Sequence, residues 1–259
     1  MKILIATHKG DVPYPTNSVY QPITVGTKLL GRPFLGTLSD AVGKNISDEN
    51  HFFNELTALY WAKYNLSNED IVGLVHYRRY FGRKHSSHLK DVLDEEEIRE
   101  ALKNADVILP NPRNYFIENQ ETHYLNAHVG EPYWVLREVL SLNYPEYLEA
   151  FENVGKSTKA HLFNMSVMKQ KDFQEYTEFL FGVLFKVQAV IPLESYSGQD
   201  VRSLGFLAER LMDVWVLTKK KKVVEFPVIY TEHINWADKG WNFLKRKVSR
   251  TSTPKKVHF

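Results

Sequence analysis

The chain has 259 residues, with 33 Lys and Arg against 31 Asp and Glu and a formal net charge of +2. That balance excludes a nucleic-acid binder driven by global charge, and the absence of cysteine excludes a disulfide framework and thiolate chemistry. A hydrophobic content of 43% provides for one large α/β domain with a tail, and the 13% of aromatics suits either a core or a cleft for rings and sugars.

The N-terminal run Met1 to His8 is too short for a signal peptide, and no stretch reaches the roughly 20 apolar residues of a membrane span. A cytoplasmic protein is expected. Residues 2–8 are read as a first strand, followed by a loop carrying Gly10, Pro13 and Pro15. Residues 22–26 read as a second strand and 27–48 as irregular. A helix is predicted over 49–65, capped by Ser47 or Asp48, because Phe52, Leu56, Leu59, Tyr60 and Tyr64 recur at helical spacing.

Ile71 to His76 is an apolar run that ends in Tyr77-Arg78-Arg79-Tyr80-Phe81. The run reads as a strand buried on both faces. Ligands of open α/β sheets bind past the carboxyl ends of strands. Two guanidinium forks at such an end suit a phosphate or carboxylate. Salt bridges at the edge of an aromatic core are the alternative.

Further on, a helix is predicted over 94–104 with Asp94 as its cap, then a strand over 105–110 stopped by Pro110 and Pro112. A polar loop or broken helix covers 111–130. Helices over 131–142 and from Pro145, a strand over 162–168 and a helix over 171–187 follow. A break at 192–198, a helix over 200–217 and a strand over 223–229 complete the domain. This alternation predicts an α/β sandwich with a mostly parallel sheet. The long loops point to function. No Gly-x-Gly-x-x-Gly and no Walker loop is present, which argues against a dinucleotide oxidoreductase or a P-loop NTPase.

Several strings together resemble one family. They are Thr7-His8-Lys9, Tyr20 to Gly26, Asn45 to Asn50, Glu55-Leu56-Thr57-Ala58-Leu59-Tyr60-Trp61-Ala62, Gly73 to Phe81, Phe163 to Met168 and Arg202 to Leu211. The family is a domain of formerly unknown function in bacterial capsular-polysaccharide and exopolysaccharide biosynthesis proteins, associated with glycosyl transfer that includes galactofuranosyl transfer. The resemblance covers residues 1 to about 235. It implies a GT-A-like, nucleotide-sugar-binding sandwich that moves a hexose, galactofuranose among them, from a UDP-sugar to a lipid-linked oligosaccharide in capsule, exopolysaccharide or O-antigen synthesis. Phe163 to Met168 is also similar to the Phe-Asn-x-Gly-Val strand bordering the cleft of other GT-A enzymes, which places Asn164 at the donor.

One departure matters. Many GT-A enzymes hold a divalent metal on the diphosphate with Asp-x-Asp, and this chain has none. The strand end carries His76-Tyr77-Arg78-Arg79 instead. Fixed cations neutralise a leaving diphosphate as a metal does. Metal-independent transfer, with Arg78 or Arg79 on the diphosphate and His76 and Tyr77 shaping the pocket, is therefore expected, with Mg²⁺ or Mn²⁺ as the alternative.

The remaining donor-side candidates are Thr7, His8 and Lys9 at the first strand end, Tyr20 as a stacking partner for uracil, and Asn50 and Asn54 on one helix face beside Glu55. Arg202 opens the 200–217 helix, and Glu209 pairs with Arg78 or Arg79. For the base that takes the acceptor proton, the candidates are Glu131, His128 and Asp200. Helix capping is the alternative for Glu131 and Asp200, and a plain surface or packing role for the others. The tail, 236–259, places Trp236, Trp241, Phe243 and Leu244 among Lys239, Lys245, Arg246, Lys247 and Arg250. That mixture suits an anionic membrane surface; a solvated tail is the alternative.

Overall fold

The structure is a computed structural model that describes residues 1–232. The tail segment 236–259 lies outside the described residues. Strand β1 (Lys2–Thr7) sends Leu4 and Ala6 into one hydrophobic core and Ile3 and Ile5 into another. A strand with period two and two covered faces is written as unbroken hydrophobicity. Strand β2 (Tyr20–Thr24) lies parallel to β1. The segment expected to be irregular contains a single helical turn, α1 (Thr27–Leu30), and a short strand, β3 (Leu38–Ser39).

The helix predicted over 49–65 is two helices. Helix α2 (Asn50–Phe53) and helix α3 (Leu56–Asn65) meet at Asn54, which has φ 51° and ψ −127°. Phe52, Leu56 and Leu59 all enter one core across that break, so the periodicity does not reveal it.

Strand β4 (Ile71–His76) pairs parallel with β1, turns at Tyr77-Arg78 and returns as β5 (Arg79–Phe81), with His76 opposite Arg79. Helix α4 (Glu95–Asn104) starts at a capping box in which Asp94 accepts from the Glu97 backbone N–H and Glu97 accepts from that of Asp94. Strand β6 (Val107–Pro110) follows. The polar stretch after it holds β7 (Arg113–Asn114) and α5 (Gln120–Ala127), and leads to α6 (Glu131–Asn143) and α7 (Leu148–Lys156). Strand β8 (Lys159–Ala160) pairs with β7.

Strand β9 (Ser166–Lys169) is shorter than predicted because Phe163 and Asn164 take φ of 77° and 53°, which no strand accommodates. Helix α8 (Gln170–Gln188), a 3₁₀ turn at Asp200–Arg202, helix α9 (Ser203–Thr218), strand β10 (Val223–Phe226) and strand β11 (Val228–Tyr230) complete the order.

The sheet runs β10-β6-β9-β4-β1-β2-β3, with the β5–β11 ribbon branching from β4. Its pairings are parallel except at β9, which runs antiparallel between β6 and β4, and at the ribbon, where β5 is antiparallel to both β4 and β11. The fold is mixed α/β with a mostly parallel central sheet. At Gly73 a Cβ would stand 2.7 Å from Val167 Cγ2 and 2.9 Å from the Ser166 carbonyl, so the β4–β9 approach requires glycine.

Candidate functional site

Parallel strands put their carboxyl ends at one edge, and here β1, β2 and β4 open there on a cleft of about 530 Å³. Ala6 near the end of β1 and His8 just past it, Val25 beyond β2, and His76 at the end of β4 with Tyr77 to Arg79 after it form its floor. The α2–α3 junction brings Asn50, Asn54 and Glu55. Arg113, Tyr115, His123 and His128, together with Arg202, Gly205, Phe206, Glu209 and Arg210, complete the lining, with the His128 ring stacked on that of Phe206.

The left-handed turn at Phe163 and Asn164 ties these parts together. The Phe163 N–H donates to Glu209 Oε1 at 2.7 Å. The Phe163 carbonyl accepts from His76 Nε2 at 2.5 Å, and a carbonyl can only accept, so Nε2 carries the proton. Asn164 Nδ2 donates to Glu55 Oε1 at 2.8 Å and to the Gly205 carbonyl at 3.1 Å. Consecutive left-handed residues without glycine are costly and concentrate at functional sites.

Arg79 is the central cation. It is 8% exposed, and its guanidinium carbon lies 4.2 Å from the Phe163 ring centroid. Its Nε is buried without a hydrogen-bond partner among the described residues. Burial and neighbouring Arg78 lower its pKa, yet a guanidinium remains charged at neutral pH. Glu55 and Glu209 act on it at range. A buried cation left this open calls for an anion. Arg78 reaches Glu232 at 3.3 Å, and Arg202 donates Nε to Asn54 Oδ1 at 2.7 Å. Arg210 shares the buried, unpartnered Nε, but its two terminal nitrogens donate to the Phe206 and Gln120 carbonyls, and it lies 4.8 Å from the Tyr124 ring.

Burial pushes the Glu209 carboxyl up to about 7, against the Phe163 N–H and the Arg210 charge. Burial and Arg210 bring His128 down to about 4, so it is neutral at pH 7. Burial also lowers His76, His8 and His123.

Beneath the cleft, Asp40 is fully buried and accepts from the Gly26 and Thr27 N–H groups at 2.7 and 2.9 Å, and from Ser47 Oγ and Thr57 Oγ1 at 2.5 and 2.7 Å. This knot fastens the end of β2 to α3 beside Asn50 and Asn54. Asn50 presses on Gly26, where a Cβ would stand 2.6 Å from its Oδ1 at φ 70°. Nothing in the sequence separates Asp40 from an ordinary turn residue.

Of the residues predicted from sequence, His8, Asn50, Asn54, His76, Tyr77, Arg78, Arg79, His128, Arg202 and Glu209 line the cleft. Six others do not. Tyr20 is 5% exposed and donates to the Leu93 carbonyl at 2.9 Å, so its ring packs in the core and offers no stacking face. Thr7 is fully buried with its hydroxyl turned to the Lys9 backbone. Lys9 is held by Glu232 at 3.0 Å. Asn164 lies behind the floor, bracing Glu55.

Of the proposed bases, His128 and Asp200 come together, while Glu131 is held elsewhere. Glu131 accepts from Tyr196 Oη at 2.6 Å, while Asp200 lies 3.4 Å from His128 Nδ1 and accepts from the Val129 N–H at 3.2 Å. His128 and Glu131 thus do not converge, despite their spacing. Glu209 bonds Phe163, and among the described residues no ion pair joins it to Arg78 or Arg79, the latter feeling it only at range. Arg113 and Tyr115 come from the start of a polar stretch, where the sequence singled out no site residue, and Arg210 follows Glu209 in a string that it did single out.

The donor set suits an anion better than a metal. Cleft cations outnumber its two carboxylates, Glu55 and Glu209, which are each braced by a 163–164 donor. Among the described residues no group of three His, Cys, Asp or Glu is arranged to hold a metal. No helix among them is long and apolar enough to cross a membrane.

Comparison with known proteins agrees with this architecture. The solved apo structure of the WbbM bifunctional glycosyltransferase superposes with a TM-score of 0.82 at 27% identity, covering 90% of this chain and 45% of that one. The chain therefore spans under half the length of that enzyme. No curated protein matches the sequence. The profile of a domain of unknown function, DUF4422, matches residues 2–221, and the chain belongs to that family.

Proposed function

We propose that the chain is a glycosyltransferase whose cleft binds a nucleoside-diphosphate sugar, with Arg79 on the diphosphate. The buried, unpartnered Nε of Arg79 at a strand end is the observation that carries this reading. Ligands sit at such ends in α/β sheets, and a guanidinium matches phosphate oxygens bidentately. Arg78 and Arg202 stand nearby as further cations. The similarity to a bifunctional glycosyltransferase supports the same class of reaction.

In this reading the leaving diphosphate is neutralised by arginine and transfer needs no metal. The donor is a UDP-sugar carrying a hexose such as galactofuranose. The acceptor is a lipid-linked oligosaccharide, and residues 236–259 hold the protein to an anionic membrane surface near it. Cation-rich walls and several histidines around one cleft suit a phosphorylated donor better than a scaffold, which needs no converging cations.

Calorimetric titration with UDP, UDP-galactose, UDP-galactofuranose and GDP-mannose tests it. Binding of UDP and a UDP-sugar is expected. Binding of GDP-mannose alone would change the donor, and no response to any nucleotide would leave a non-catalytic subunit.

A further inference from the structure

We propose that Glu209 is the catalytic base that takes the proton of the acceptor hydroxyl. This rests on the transferase reading above and assigns a role that the sequence suggested for Glu131, His128 or Asp200.

The assignment starts from what each candidate is already doing. Glu131 is exposed and held by Tyr196, and Asp200 is spent on His128 and the Val129 N–H. Neither lines the cleft. His128 does, but its ring is stacked 4.2 Å from that of Phe206. Glu209 lines the cleft from α9, and its Oε1 is fixed by the Phe163 N–H. That bond orients the carboxylate and leaves Oε2 to receive a proton. A base must lie within hydrogen-bond reach of its proton and be poised near the working pH. Burial raises Glu209 to about 7, which meets the second condition.

Its surroundings also place it at a junction. Arg79 and Arg210 act on it, and its charge is felt by Tyr115, which also lines the cleft. The diphosphate belongs at Arg79 in this reading, and Glu209 lines the same cleft within electrostatic range of that guanidinium, where the sugar carried by the diphosphate would enter. Glu55 is the other carboxylate in the cleft. It accepts from Asn164 Nδ2 and acts on His76.

The step is a single displacement. The acceptor O–H bond breaks and its proton passes to Glu209 Oε2. The acceptor oxygen forms the new bond to the anomeric carbon. The bond from that carbon to the phosphate oxygen breaks, and its electron pair leaves with the nucleoside diphosphate beside Arg79. The anomeric configuration inverts.

The test compares wild type, Glu209→Gln and Glu55→Gln in UDP release from UDP-galactofuranose, with water and with octyl glycosides as acceptors, alongside UDP titration. Gln at 209 keeps the oxygen that accepts from Phe163, so the fold and UDP affinity should persist. Turnover should fall roughly 10²–10⁴-fold, the usual contribution of a general base, and the acid limb of the pH–rate profile should disappear. Glu55→Gln should keep that limb. Turnover retained by Glu209→Gln, loss of the limb in Glu55→Gln instead, loss of UDP affinity in Glu209→Gln, or a product retaining the donor configuration would each overturn the assignment. A wild type that binds UDP but never releases it from the sugar would sink the transferase reading itself, which separates the two failures.

Discussion

The guanidinium of Arg79 lies over the ring of Phe163 at 4.2 Å, and the same Phe163 receives His76 on its carbonyl and gives its N–H to Glu209. One residue in a left-handed turn therefore sets the cation, the histidine and the carboxylate of the cleft relative to one another. That dependence shapes the behaviour expected of variants.

Arg79→Ala should weaken UDP binding by about 2 kcal/mol, roughly 30-fold, the worth of a charge-assisted hydrogen bond. Arg79→Lys should recover little, because an ammonium neither forks nor stacks like a guanidinium. Calorimetry on both variants checks this. Unchanged affinity in Arg79→Ala would remove the diphosphate from this site.

Chelation should leave UDP affinity and sugar transfer intact. Assays in EDTA, repeated after adding Mn²⁺ and Mg²⁺, decide the matter. Activity lost in EDTA and restored by either ion would put a metal on the diphosphate.

Asp40→Ala should lower stability by roughly 3 kcal/mol, since it strands several buried donors at once. Asp40→Asn should cost less because one oxygen remains to accept. Urea unfolding measures both. A near-neutral Asp40→Ala would mean that water replaces the carboxylate in the knot.

His161 tests the pH dependence of stability. Burial works to lower its pKa, but Asp213 at 2.5 Å and Glu225 at 3.2 Å outweigh burial and raise it above 6.5. A histidine raised in the folded state stabilises below its unfolded pKa, and the contribution is lost as pH climbs through the folded value. His161→Gln should thus lower Tm more at pH 6 than at pH 9. Equal losses at both would mean that the histidine titrates normally.

Glu209 is also raised, so its contribution falls with rising pH as that of His161 does. Its carboxyl titrates near 7 in the fold against 4.5 in a free chain, so the folded protein holds a proton that the unfolded chain has lost. Stability contributed by this group therefore declines as pH rises from 4.5 to 7. Glu209→Gln should raise Tm relative to wild type at pH 8 and leave it nearly unchanged at pH 5. A Tm difference independent of pH would place the carboxylate in open solvent.

Much of the architecture is local chemistry and so was legible in the chain. The unbroken apolar run of β4 declared a strand covered on both faces, the N-terminal run declared β1, and Asp94 declared the start of α4. His76 to Arg79 at the end of such a run already pointed to an anion at a strand end. What the tertiary structure decided is which way side chains turn once the chain is closed. Arg78 and Arg79 are adjacent in sequence, yet the β4–β5 turn leaves one facing Glu232 and buries the other on Phe163. Tyr20 and Thr7 sit beside a strand end by number but face the core or their own backbone. Glu209 and Phe163, 46 residues apart, meet only because α9 packs over the β8–β9 turn. Sequence spacing encodes neighbours along one element. Contacts between elements depend on how the sheet and helices pack, and that geometry places Glu209, Arg79 and Phe163 around one cleft.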